Sequence, residues 1–206
     1  MGKAANKQMG KSGARGRARQ MDYLTAPGAA LLAEEREWIR DTCAARQRGC
    51  RNPEGPVMVH VGVGQGGSLH CSRAGSERGR LVGVDVDCSR LVGDPSAALI
   101  ESDSARAALA WDGGEIEFLF IDADHSEAAV RADVQGWRRH IAPGGVLAFH
   151  DYGNDHLPWC VGVKRAVDAF AWDGWEEWEA PGSIRAFRRC GSVAEGGSVA
   201  AAGPNG

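Results

Sequence analysis

The sequence predicts an α/β fold, a mostly parallel seven-stranded sheet with helices on its faces and an antiparallel hairpin at its C-terminal end. Three observations predict it. Five short apolar runs recur through the middle of the chain: "VMVHV" (57–61), "RLVGVDV" (80–86), "AALIES" (97–102), "IEFLFID" (116–122) and "GVLAFHD" (145–151). Near-continuous apolar runs mark strands covered on both faces. Helical or loop segments separate them, as crossovers between parallel strands require. Finally, "WEEWEAPGSIRAFRR" (175–189) reads as two strands joined at a Pro-Gly turn.

Taken in order, "PGAALLAEEREWIRDTCAARQRG" is a helix with Leu32, Ile39 and Cys43 near one face, Glu34, Glu35 and Glu37 early, Arg46 and Arg48 late, and a stop at Gly49. The run 57–61 leads directly into glycines. From Ser126 to Ile141, Val130, Val134, Trp137 and Ile141 fall at spacings of four, three and four before "APGG", an amphipathic helix between two strands. "VKRAVDAF" is a second short helix. Of the seven tryptophans, Trp159, Trp172, Trp175 and Trp178 fall late; Trp175 is expected to pack the hairpin, and Trp159 follows the "HDYGND" loop at the rim of the expected site.

With 206 residues, 43% of them hydrophobic, the chain has material for one substantial core and not for two full domains. The expected organisation is a basic tail over 1–27, one domain over 28–190 and a flexible tail over 191–206. Residues 1–20 hold six of the 24 Lys and Arg and no acid, so the remainder carries 18 basic against 27 acidic groups. The tail reads as a solubilising leader, with an arm for nucleic acid or an acidic partner as the alternative; no aromatic accompanies its charges as a base-stacking platform requires. "GKS" (10–12) lacks the first glycine and the preceding strand of a P-loop, and "MGKAAN" has Asn where a myristoylation signal has Ser or Thr. Six scattered cysteines without C-x-x-C or zinc spacing read as free thiols of a cytoplasmic protein. No apolar run approaches the roughly 20 residues of a membrane span.

Gly62, Gly64 and Gly66 occupy alternate positions directly after the first strand, and Asp85 closes the second strand 19 residues beyond Gly66. Glycines let the backbone approach a ligand and turn into a helix, and an acid at that distance can accept ribose hydroxyls. Gly67 also satisfies the third position of a dinucleotide fingerprint, so this loop alone admits both a dinucleotide and S-adenosylmethionine (SAM).

The block "FLFIDADHSEAAVRADVQGWRRHIAPGGVLAFHDY" (118–152) decides between them. It resembles the fourth strand, following helix and fifth strand of class I SAM-dependent methyltransferases, in the group of small-molecule O-methyltransferases with "IDADHS...PGG...FHDY" motifs; the resemblance extends over about 57–189. It implies a Rossmann-like methyltransferase fold. It also implies that Gly62, Gly64 and Gly66 wrap the amino acid end of SAM, that Asp85 takes the ribose, and that Asp103 and Ser104 lie near adenine. Position 60, an acid in most such proteins, is His60 here. That acid helps fix the loop and the SAM ammonium, a role that would fall to His60.

Asp122, Asp124 and His125 leave the end of one central strand, and His150 and Asp151 the end of its neighbour. In a parallel sheet both sets emerge at the carboxyl edge, where ligands bind. Asp122, His150 and Asp151 are therefore candidate ligands for a divalent cation such as Mg²⁺, with Asp122 also adjoining the cofactor. In the metal-dependent relatives the matching ligands are an Asp and an Asp-Asn pair, so His150 opens the site to a softer ion. The alternative has Asp124 and Ser126 capping a helix and Asp151 in a turn. A Lys takes the acceptor's proton in those relatives at the position matching His125, which makes His125 the candidate general base. His70, His140 and His156 read as ordinary surface or turn residues. The expected activity is methyl transfer from SAM to an oxygen of a small-molecule acceptor, the protein being a monomer or a homodimer. A nicotinamide oxidoreductase and a non-catalytic SAM-binding module are the alternatives; no Tyr-x-x-x-Lys follows the loop to handle a hydride.

Overall fold

The computed structural model describes residues 22–27 and 31–191; the basic arm with its "GKS" and "MGKAAN" segments and the stretch from 192 lie outside them. The elements are α1 (Ala33–Gly49), β1 (Val57–Val61), α2 (Gly67–Gly75), β2 (Arg80–Asp85), β3 (Ala98–Glu101), α3 (Ser104–Leu109), β4 (Ile116–Ile121), α4 (Glu127–Trp137), β5 (Ile141–Phe149), α5 (Val161–Asp168), β6 (Trp175–Trp178) and β7 (Arg185–Arg189). They form one seven-stranded sheet in the order β3-β2-β1-β4-β5-β7-β6. The first five strands pair in parallel and β7 pairs antiparallel with both β5 and β6. The chain builds outward from β1 to β3 and then returns to lay β4 on the other side of β1. The crevice beyond the carboxyl ends of β1 and β4 is thus the switch point where open α/β sheets bind ligands.

Alternation along each strand divides the core. Val59, Val61, Val82, Val84, Leu119 and Ile121 face α3, α4 and α5, whose Ala107, Val134, Trp137 and Ala166 pack against them. Met58, Leu81, Phe118 and Phe120 face α1 and α2, meeting Ile39, Cys43 and Leu69. Leu32, expected on that apolar face, instead precedes α1 and is 55% exposed. The hairpin closes on aromatic packing, with Trp172 stacked on Phe187 at 3.8 Å and Trp175 edge-on to Trp172.

One boundary differs from the sequence reading. The helix expected to reach Ile141 ends at Trp137, a 3₁₀ turn covers 138–140, and Ile141 opens β5 opposite Ile116. A register shift between Ile116 and Phe118 follows. It accommodates Pro143, which has no N–H to give a regular ladder, and Gly144, whose φ is +80°. Among the described residues no helix is long and apolar enough to cross a membrane, and all six cysteines are free.

Candidate active site

Four backbone hydrogen bonds align the loops at the carboxyl edge: Gly62 N to Val84 O, Asp122 N to Val61 O, Ser102 N to Asp85 O and His150 N to Ile121 O, at 2.8–3.0 Å. Carbonyls at the strand ends thereby fix the first residue leaving a neighbour, and the loops share one rim. A cavity of about 420 Å³ opens there, lined among others by Gly62, Gly64, Asp85, Asp103, Ser104 and Asp122.

The three glycines do different work. Gly62 (φ +85°) passes so close to the next loop that a Cβ would sit 1.9 Å from the carbonyl oxygen of Asp122. Gly64 (φ +50°) lies on the cavity wall, and a Cβ there would meet nothing within 4 Å, so its side-chain direction is open space. Gly66 (φ +93°) is not on the wall. It precedes α2 in a left-handed conformation, and a Cβ would strike Leu91 Cδ1, which corrects its reading as a cofactor contact.

Asp85 is also redirected. Its Oδ2 accepts the N–H groups of Val63 (2.7 Å) and Gly64 (3.0 Å), and its Oδ1 accepts that of Asp87 (3.0 Å). Burial works to raise its pKa, but the N–H donors from Asp87, Gly64 and Val63 outweigh burial and hold it below the usual carboxylate value. A carboxylate has about four acceptor sites, so bracing the glycine loop leaves about one for a ribose hydroxyl. Asp103 caps α3 by accepting Arg106 N, and Ser104 Oγ accepts the indole N–H of Trp137 at 2.9 Å.

His60 lies in the core and not on the cavity wall, a second correction. It shares the face of Met58, is 0% exposed, and contacts Ser68 Oγ at 3.0 Å through Nδ1 and Ser72 Oγ at 2.7 Å through Nε2. Burial drives its pKa down to about 3, so it is a neutral ring tying β1 to α2. The unfolded chain binds a proton below about pH 6.5 that the native ring refuses, so this contribution to stability is complete above pH 6.5 and is lost as pH falls toward 3. Denaturant unfolding of His60→Gln beside the parent should show the variant losing less stability between pH 6.5 and 4, by roughly 3 kcal/mol. Parallel losses would place the ring in contact with water.

Beside the cavity stands the polar cluster. Asp151 has φ +60°, tolerable for an Asp, and Asn154 Nδ2 donates to its Oδ1 at 2.6 Å. Asp151 Oδ2 lies 2.9 Å from His125 Nε2 and 3.3 Å from His150 Nδ1; Asp122 Oδ1 lies 3.7 and 3.4 Å from the same atoms. The neighbouring carboxylates of Asp122 and Asp151 favour the charged ring and push the His125 pKa up to about 9. Burial opposes the charged form of His150, but Asp122, Asp151 and Glu35 prevail and push its pKa up to about 12. Burial would raise Asp151, yet both histidines hold it far below its usual value.

Asp122, His125 and Asp151 each present one ligand atom within 4.8 Å of the others, an arrangement that suits a metal ion. His125 Nε2 and His150 Nδ1 are buried and neither completes a hydrogen bond, although both stand close to the carboxylates. Imidazole and carboxylate donors gathered on one locus fit a divalent cation. Asp124 accepts Ser126 N, while Ser126 Oγ caps α4, so these two follow the capping alternative.

Sequence reasoning missed three residues. Asp133 on α4 is 3% exposed on the cavity wall, its pKa raised to about 6 by burial; its place between Val130 and Val134 on an apolar face was the available signal. Glu35 is 1% exposed and bound to His150. His70, read as a surface or turn residue, is buried with Nε2 3.0 Å from Val92 O. On the outer side of His125, a groove includes Ser126, Pro158 and the 65% exposed Trp159.

Known proteins resemble this chain in sequence and in structure. Residues 59–152 match the family model of a methyltransferase domain. Cofactor-bound Rv0187 from MTB has a similar structure, with a TM-score of 0.61 and 14% identity over 82% of this chain and 85% of that one. The O-methyltransferase TomG from Streptomyces achromogenes, solved in complex with SAM, gives 0.59 and 14% over 79% and 82%. MycE methyltransferase from the mycinamycin biosynthetic pathway, solved with Mg, SAH and mycinamycin VI, gives 0.55 and 22% over 73% of this chain; this chain spans 48% of MycE's. The sheet order is that of a Rossmann-like methyltransferase fold. The match to a methyltransferase domain runs from β1 to Tyr152, the part of the chain that carries the cavity and the polar cluster.

Proposed function

We propose that the protein transfers the SAM methyl group to an oxygen of a small-molecule acceptor, with His125 as general base beside a divalent cation held by Asp122 and Asp151. The observation carrying this reading is the convergence of Asp122, His125 and Asp151 at the rim of the glycine-lined cavity. TomG and MycE, with SAM in one and Mg, SAH and mycinamycin VI in the other, lend it support.

In this reading Gly62 and Gly64 admit the cofactor, Asp85 holds their loop and offers its remaining acceptor site to the ribose, and Asp103 and Ser104 border the adenine. His60 supports the loop from the core. The acceptor enters along the Trp159 groove, which reaches His125, the half-buried member of the cluster. A bound cation would lower the pKa of an acceptor hydroxyl and relieve the repulsion between Asp122 and Asp151. His125 Nε2 is placed to take the hydroxyl proton of the acceptor; bound SAM would supply the methyl group to that oxygen, the bonding pair remaining on its sulfur. An oxidoreductase would need a hydride-handling group, and the cavity's polar wall is instead largely carboxylate. His150 remains in the proposed ligand set through Nδ1, although its other nitrogen is engaged by Glu35.

Chelation is expected to cut turnover, and Asp122→Asn to raise the cation concentration needed for half-maximal rate by about 10-fold or more, as loss of a charged ligand implies. The check is a rate titration with Mg²⁺ and Mn²⁺ after exhaustive chelation. Full activity in excess chelator would leave these carboxylates as hydrogen-bonding groups only.

A further inference from the structure

Glu35 is a buried carboxylate, far from the cavity in sequence, that the transfer reaction does not use. Its Oε2 accepts Leu32 N at 2.8 Å and stands 3.3 Å from His150 Nε2; its Oε1 accepts both Ser183 N (2.8 Å) and Ser183 Oγ (2.9 Å). These four partners fill the acceptor sites of a carboxylate. Glu35 therefore has none left for a cation and touches neither the SAM cavity nor the Asp122–His125–Asp151 group. The turn between β6 and β7 is shaped around it: Gly182 has φ +62°, and a Cβ there would lie 2.4 Å from Glu35 Oε1. The start of α1, the hairpin turn and the end of β5 thus meet on one side chain.

Only one of its four partners faces the site. With Nε2 directed at Glu35, the opposite nitrogen of His150 is turned toward Asp122 Oδ1 and Asp151 Oδ2, at 3.4 and 3.3 Å. A ring nitrogen can give a lone pair to a metal only if the proton sits on the other nitrogen, and the partner of that other nitrogen decides where the proton sits. We propose that Glu35 is a positioning residue that holds the Nε2 proton of His150 and so presents Nδ1 as a further ligand to the cation between Asp122 and Asp151. The assignment rests on the cation reading above. It gives the hairpin turn a function, since Ser183 fixes the carboxylate that fixes the ring.

The experiment is Mn²⁺ binding, followed by the loss of free-ion electron paramagnetic resonance signal, to the parent, Glu35→Gln, His150→Ala and the double variant. Glu35→Gln should weaken binding about 10- to 100-fold, the usual effect of removing the partner of a ligating histidine. In the His150→Ala background it should change nothing further, because Glu35 acts through that ring. A carboxylate that merely caps α1 would instead add its effect to that of His150→Ala, and additive losses, or undiminished binding by Glu35→Gln, overturn the proposal. A parent that binds no Mn²⁺ overturns the cation reading and this assignment together, whereas a parent that binds with Glu35→Gln unaffected overturns this assignment alone. The Gln amide must turn an N–H toward one of four donors, so the variant can fail to fold. The parent then supplies the answer: with Mg²⁺ bound, long-range ¹H–¹⁵N spectra should find the His150 proton on Nε2, and a proton on Nδ1 would overturn the proposal.

Discussion

Gly64→Val is expected to lose SAM binding by at least about 100-fold, roughly 3 kcal/mol, while the chain still folds. A Cβ at Gly64 meets no protein atom and projects from the cavity wall, so the added side chain occupies ligand space. A β-branched residue at φ +50° also carries strain, on the order of 1–3 kcal/mol. Unfolding and binding must therefore be measured on the same preparation. Gly62→Ala supplies the contrast, because its Cβ would collide with the Asp122 carbonyl and the damage should appear in stability first. Unchanged SAM affinity in Gly64→Val would remove this loop from the cofactor site.

His125→Ala is expected to slow methyl transfer by about 10²- to 10⁴-fold, the usual contribution of a general base. Only the neutral ring accepts a proton, so the parent's rate should rise with pH through the His125 titration and then level off. Asp122 and Asp151 raise that pKa to about 9; a cation between them withdraws their stabilisation of the charged ring and moves the limb to lower pH. Increasing Mg²⁺ should thus shift the acidic limb downward in the parent and leave His125→Ala without that limb. If the ring were a metal ligand instead, His125→Ala would lose Mn²⁺ affinity along with rate. A variant that kept the parent's limb at a near-parental rate would exclude the base assignment.

The contrast between the readable and unreadable parts of this site is one of range. Gly62, Gly64 and Asp85 belong to a single strand–turn–strand unit, so local spacing announces them. Asp122, His125 and Asp151 terminate two apolar runs, and a parallel sheet sends both ends to one edge. The His60 environment follows from strand alternation, which puts residue 60 with Met58 on the α1 and α2 face, but residue type pointed toward the cofactor. Asp85 has the expected position and a different set of partners, because the loop's own N–H groups reach it. Glu35 meets His150 across 115 residues and Ser183 across 148; in the sequence it is one of three acids early in a helix, and nothing local separates it from Glu34. Ile141 shows the same limit, since its spacing suits the helix while its pairing with Ile116 makes it strand.

The most direct measurement is isothermal titration of the parent protein with SAM and, separately, with NAD. The account predicts one SAM site per chain, no heat from NAD, and loss of the SAM isotherm in Gly64→Val. Binding of NAD in place of SAM, or an intact SAM isotherm in that variant, would contradict it.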